Sequence, residues 1–360
     1  MNSQLESSPL TSSALTPRPD FKQQLSETLY WIRGIAIVLV VMGHVIGFDR
    51  NYGMREHYHS PLSWLGWFGD GINTIHMPTF LIASGLATDL LSRGGGSFRS
   101  FFMQKVPRLL LPLICWAPPF FIFQSLVKHH PIDIGSVWAA IVEPYEIFWF
   151  LHALIFAVIF RFLCHKLLPS KGTYFGIATM LMVGSFFPPL NSFVVYLYWN
   201  FFFALGVILS KFLPKLHEWL QRQAQWVLIL LMLVCFIIII ETKLMLPLTS
   251  QLLIVRLCTG MPGFVLLYLA CGLSKRMTDR LALSIIHAKL SYLGMMSMVI
   301  YLFHGYFTRL SSLIITQFGG QIPPIGYFVI LSSAGIVAPL LLNALILKRN
   351  PILAYITGGK

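Results

Sequence analysis

Residues 31–44, Trp31-Ile-Arg33-Gly-Ile-Ala-Ile-Val-Leu-Val-Val-Met-Gly-His44, decide the fold class of this chain. With its apolar neighbours the run is long enough to cross a bilayer as a helix. Yet it holds a guanidinium near its start and an imidazole eleven residues later. A charged side chain inside hydrocarbon costs about 3 kcal/mol or more, so such groups face a bundle interior or a polar cavity and mark function. The plainer alternative is an Arg33 that snorkels at the membrane edge and a His44 that packs against a backbone carbonyl.

Composition agrees with a membrane protein. Of 360 residues, 56% are hydrophobic and 11% charged, with mean hydropathy +0.73. Soluble domains carry about 25% charged residues. The formal charge of +13 is no nucleic-acid footprint, because the cations fall in short loops between apolar runs; the expected partner is the lipid bilayer and not nucleic acid. Cys115, Cys164, Cys235, Cys258 and Cys271 are scattered without CxxC spacing, so neither a disulfide framework nor a metal site is indicated.

Ten spans are expected, at about 30–48, 69–91, 107–127, 147–164, 173–190, 194–213, 225–241, 250–273, 291–314 and 322–347. The second is the least hydrophobic, and the fifth is broken at its end by Pro188-Pro189. Lys and Arg crowd the loops on one side, among them Arg93, Arg99, Lys171, Lys211, Lys215, Lys275 and Arg276. The positive-inside rule then places both termini in the cytoplasm. The expected organisation is a polar, disordered cytoplasmic tail over 1–28, one all-α polytopic membrane domain over 29–349 and a cytoplasmic C-terminal tail over 350–360.

Helix rise groups the polar residues by depth. His44, His76, His152, Asn200, Arg256 and His304 all fall in the outer half, which predicts one cavity open to the periplasm. Pro78 beside His76 suits a cavity-lining helix, and Trp149 sits near a span end as interface aromatics do. On the other side Lys105 and Arg108, three apart, would share a helix face suited to a phosphate-rich ligand, although anionic lipid headgroups would also account for them. Gly34, Gly43 and Gly85 read as close helix-packing positions.

Four segments resemble the acyltransferase 3 family of membrane O-acyltransferases, in particular its sugar O-acetylase branch. These are Arg33…Met-Gly-His44, His76-Met-Pro-Thr-Phe-Leu-Ile-Ala-Ser84-Gly85, Lys105-Val-Pro-Arg108-Leu-Leu-Leu-Pro112, and the pair Trp149-Phe-Leu-His152 and Tyr301-Leu-Phe-His304. Two departures stand out: Tyr30 where many members have Asp, and Lys105 for the first Arg of the family's RxxR. Lysine keeps the charge but loses the bidentate geometry.

The resemblance implies a ten-helix core in the inner membrane that moves an acyl group, commonly acetyl from cytoplasmic acetyl-CoA, to a carbohydrate acceptor. It implies His44 as the catalytic base, Arg33, Lys105 and Arg108 as contacts to the acyl-CoA, and no metal. His76, Trp149, His152, Asn200, Arg256 and His304 are the candidate substrate-binding residues. The chemistry fits, since a hydroxyl needs a base and imidazole titrates near working pH. A proton-coupled secondary transporter or a lipid-linked glycan flippase using the same histidines is the alternative.

Overall fold

Lipid offers no partners to backbone amides, so an apolar chain must satisfy its N–H and C=O groups within helices. The computed structural model describes residues 21–47, 53–58, 63–91, 98–168, 170–245, 248–277, 281–318 and 322–358, and no strand occurs among them. In chain order the helices are α1 Phe21–Ile46, α2 Met54–Tyr58, α3 Ser63–Leu86, α4 Phe98–Lys128, α5 Ile134–Val142, α6 Trp149–Leu167, α7 Lys171–Gly184, α8 Val194–Leu209, α9 Leu213–Arg222, α10 Gln225–Met245, α11 Leu248–Arg276, α12 Leu281–Met295, α13 Ser297–Phe318, α14 Pro324–Leu345 and α15 Pro351–Ile356. A π-helical turn, Ala87–Leu91, extends α3.

Among the described residues eight helical stretches are long and apolar enough to cross a membrane. They match eight of the ten expected spans. The other two are α3 and α7, and each has its own reason. α7 has only 14 residues. α3 is long enough but carries Asp70, Asn73, Thr74 and His76, and it tolerates them because it packs against α1, α8 and α11 rather than lipid. Burial follows the same logic: 61% of the most apolar window of α1 is buried, against 17% for α10. α1 is therefore central and α10 peripheral.

Three expected boundaries are corrected. Residues 21–28, expected in the tail, form the first two turns of α1. Their sequence looks polar because they dock through polar contacts: Gln24 Oε1 lies 2.9 Å from both His217 Nε2 and Gln221 Nε2, on α9. The expected ninth span straddles the junction between α12 and α13, so the spanning helix begins at Ser297. Residues expected as a C-terminal tail include α15, which packs on α4.

Glycine sets how closely the central helices approach. A Cβ on Gly34 would lie 1.9 Å from the Leu290 carbonyl oxygen, and one on Gly294 would lie 1.7 Å from that of Tyr30. α1 and α12 thus cross in backbone contact. α3 and α8 do the same at Gly85 and Gly206, where a Cβ would meet carbonyl oxygens at 2.1 and 2.2 Å. Small residues at such crossings are what membrane helices use in place of a hydrophobic driving force. Gly34→Ala or Gly294→Ala should therefore cost at least about 2 kcal/mol and lower the melting temperature of the detergent-purified protein. Gly272, on α11 with open space around it, should gain up to about 1 kcal/mol as Ala. Equal melting temperatures for Gly294→Ala and Gly272→Ala would refute the crossing.

Candidate active site

Arg33 and His44 both stand on α1, eleven residues apart. At 3.6 residues per turn that spacing falls within about 20° of three full turns, so the two share one helix face about 16 Å apart along the axis. Ile37, Val40 and Val41 between them are buried, and a cavity lies at each end.

The first cavity, of about 650 Å³, is lined by Arg33 and Tyr30 of α1, Ser84 of α3, Arg108 of α4, Tyr301 of α13 and Gly358. Two cations from different helices thus line one cavity. The wall at Gly358 comes from the segment after α15. Trp116 Nε1 donates to the Ile356 carbonyl at 3.2 Å, and Asn350 caps α15. Gly358, with φ +73°, sits so near Arg108 that a Cβ would lie 3.1 Å from its carbonyl oxygen. The side chain of Lys105 lies outside the described residues.

The second cavity, of about 420 Å³, is lined by His44 together with His57, Gln124, Lys128, Arg309 and Tyr327. Three aromatic rings pack together along the wall of the first. The ring centroids of Phe80 and Phe150 are 5.9 Å apart, and those of Phe150 and Tyr301 5.6 Å. The Tyr301 hydroxyl donates to the Ile147 carbonyl. Of the six polar residues grouped by depth, His44 alone lines either of these two cavities.

His76 and His304 stand near His44. His76 precedes Phe80 by one turn on α3, and His304 follows Tyr301 by one turn on α13. The His44 and His304 ring centroids are 5.1 Å apart, and His44 interacts electrostatically with both His304 and His76. His76 Nδ1 donates to the Ile72 carbonyl at 2.7 Å. His304 Nδ1 faces the carbonyls of Ile300 and Tyr301 at 3.1 and 2.8 Å. A ring nitrogen facing a carbonyl must carry the proton, which leaves Nε2 of the neutral ring as an acceptor. In His304 that Nε2 is buried without a hydrogen-bond partner.

Pro78 explains a contact nearby. It lacks the N–H that would bond the Thr74 carbonyl one turn back, and Thr259 of α11 donates its hydroxyl there at 3.2 Å. Arg256, three residues earlier on α11, donates from Nε to the Asn73 carbonyl at 3.1 Å. Its guanidinium lies 5.3 Å from the Trp199 ring centroid, and Trp199 in turn packs on Trp149 at 5.0 Å. Trp149 and Arg256 therefore join the back of the α3 wall rather than either cavity.

Two candidates go elsewhere. His152 has both ring nitrogens against carbonyls, Phe148 at 3.0 Å and Ile141 at 2.9 Å, and so ties α6 to α5. Asn200 Oδ1 accepts from the Tyr174 hydroxyl at 3.2 Å, between α8 and α7. Neither lines the cavities described. A carboxylate could orient His44, but Asp70 is paired with Arg55 at 2.6 Å and Glu241 is exposed on α10, while Asp49 lies outside the described residues.

Several residues escaped sequence reasoning. His57, on the short helix α2, stacks on Tyr327 at 4.7 Å. Arg309 had a readable signal, a cation inside the apolar run of α13 five residues after His304. Asp89 had none, since its partners are distant in sequence: Arg161 at 3.2 Å, Lys171 and the Ser210 hydroxyl at 2.7 Å.

With the fold and these groups in place, comparison by family is direct: residues 27–344 match the family described as an acyltransferase domain. The chain belongs to this acyltransferase 3 family, and it is a multi-pass membrane acyltransferase. Comparison with curated proteins and with solved structures returned no match.

The Asp89 cluster gives a stability test independent of catalysis. Its carboxylate is 9% exposed and the Arg161 side chain 10%, so removing the charge strands a buried cation. Asp89→Asn should cost roughly 3 kcal/mol, read as a lower melting temperature. A change below about 0.5 kcal/mol would mean the cluster is solvated.

Proposed function

We propose that this protein is an O-acetyltransferase of the cell inner membrane, with both termini cytoplasmic. It takes the acetyl group of cytoplasmic acetyl-CoA and passes it to a hydroxyl of a cell-surface carbohydrate or its precursor. One observation carries the reading: Arg33 and His44 share a face of α1 yet line separate cavities, with the His304 ring beside His44.

The cavity with Arg33 and Arg108 is of the size ligand pockets occupy and carries the guanidinium groups that suit phosphates. It would hold the acyl-CoA, the thioester arm reaching past Phe80 and Tyr301. The clustering of Lys and Arg in loops on the same side supports a cytoplasmic mouth. The His44 cavity would hold the acceptor.

His44 would then take the proton of the acceptor hydroxyl as its oxygen attacks the thioester carbonyl. The tetrahedral intermediate collapses by breaking the C–S bond, and the departing thiolate of CoA receives the proton from the His44 imidazolium. His304 presents an acceptor nitrogen beside His44, since its own Nδ1–H is held by backbone carbonyls. It is a positioning residue, able to favour one tautomer of His44 and leave the other nitrogen as the base. General base catalysis of this kind is worth about 10²–10⁴-fold.

Thermal stabilisation of the purified protein by acetyl-CoA tests the donor site, because a ligand that binds only the folded state raises stability with its concentration. The expected shift is lost in Arg33→Ala and Arg108→Ala but kept in His44→Ala, while transfer of labelled acetyl to membrane glycan falls at least about 100-fold in His44→Ala. If millimolar acetyl-CoA gives no shift in the wild type, and His44→Ala instead abolishes a pH-gradient-driven flux, the protein is a transporter.

A further inference from the structure

The cavity that holds Arg33 and Arg108 has an exposed end and a buried one. At the exposed end Tyr30 is 36% and Met295 52% exposed, and Arg108 is exposed beside them in the lining. From there three helices lead inward. α13 enters with Ser297 and Met298 and reaches Tyr301 one turn on. α3 runs antiparallel to α1, since Gly43 faces Asn73 while Gly69 faces Ile46. Its lining, with that of its π-helical turn, therefore runs inward from Leu91 through Thr88 and Ser84 to Phe80. α6 contributes Val158, Leu154 and Phe150, four residues apart on one helix face. Phe80, Phe150 and Tyr301 are 9%, 8% and 8% exposed. On each of the three helices the lining thus ends in a buried aromatic ring.

Phe150 is the central ring of the three. Its centroid lies 5.9 Å from that of Phe80 and 5.6 Å from that of Tyr301. Tyr301 is held in place because its hydroxyl donates to the Ile147 carbonyl. Behind Phe150 stands Trp149, at 6.2 Å, which packs in turn on Trp199. A close-packed interior admits extra methylenes only with strain. The cavity is therefore cationic towards its mouth and closed by aromatic rings at its end, a shape that fits a phosphate-bearing ligand with a short apolar tip.

We propose that Phe150 sets the length of the acyl chain this enzyme accepts, closing the buried end of the donor cavity to chains much longer than acetyl. The assignment rests on the acyl-CoA reading of that cavity. An arm that passes Phe80 and Tyr301 brings its acyl group against Phe150, the ring on which both of them pack. Phe80 and Tyr301 each stand one turn from a histidine near His44, so altering them would mix specificity with chemistry. Phe150 separates the two, because His44, His76 and His304 stand on α1, α3 and α13 and Phe150 on α6.

The test follows apparent melting temperature of the purified full chain against the concentration of CoA, acetyl-CoA, butanoyl-CoA and hexanoyl-CoA. One methylene too many in an apolar pocket changes affinity about tenfold or more. The wild type should need at least about tenfold more hexanoyl-CoA than acetyl-CoA for half-saturation. Phe150→Ala should bring hexanoyl-CoA level with acetyl-CoA or ahead of it. Phe150→Leu keeps more of the packing, and should admit butanoyl-CoA even if the alanine variant fails to fold. Both should keep the wild-type response to CoA, which reports an intact mouth. Phe156→Ala removes the same ring from a part of α6 that packs on Phe160 and Tyr196, and should retain the wild-type ranking. A wild type that binds hexanoyl-CoA as readily as acetyl-CoA overturns the proposal. So does a wild-type ranking kept by the Phe150 variants, which would make the ring structural alone and spare the donor reading if CoA still binds. A wild type that neither CoA nor acetyl-CoA stabilises removes the donor reading, and the proposal with it.

Discussion

Backbone contact at two helix crossings holds the centre of this molecule together. Gly34 and Gly294 bring α1 against α12, and Gly85 and Gly206 bring α3 against α8. Both central helices carry the groups that lipid would reject: Arg33 and His44 on α1, and Asp70, Asn73 and His76 on α3. Seating them one residue-width closer to their neighbours removes those groups from hydrocarbon and lets the partner helices supply polar contacts. Thr259 and Arg256 reach the α3 carbonyls at Thr74 and Asn73 in this way. Without the crossings there is no interior in which these side chains could sit.

A second regularity concerns the buried histidines. His76, His152 and His304 each place Nδ1 against a carbonyl one turn back on their own helix. The contact is cheap because the carbonyl is always there, and in His76 and His304 it places the proton of the neutral ring on Nδ1 before any substrate arrives. What differs is the other nitrogen. In His152 it lies 2.9 Å from the Ile141 carbonyl oxygen. In His304 it stays available beside His44. Three histidines of similar depth and similar local sequence therefore do different work, and the difference lies entirely in what the neighbouring helix offers.

The split between two cavities has the same origin. A spacing of eleven residues puts Arg33 and His44 on one face of α1, but whether they share a cavity depends on what fills the space between. Ile37, Val40 and Val41 of α1 are buried there, and Phe80, Phe150 and Tyr301, from α3, α6 and α13, pack along the wall of the Arg33 cavity. The result is a chamber lined by Arg33 and Arg108 at one end and one lined by His44 at the other.

The chain's own wording determined that this is a helical membrane protein, that eight of its ten expected spans are apolar enough to cross, that Gly34 and Gly85 are packing positions, and that Arg33 and His44 share one face of a helix. Those features are local: hydrophobic runs, small residues and a helical spacing are written along the chain and follow from the needs of a backbone in lipid. Tertiary structure alone decided that residues 21–28 are helix, that the last residues wall the Arg108 cavity, that Asp89 is gripped by Arg161 and Lys171, and that Arg309, Lys128 and His57 face His44. Each of these joins positions remote in sequence, and side chains so far apart can be matched only when close helix packing leaves them no other partner.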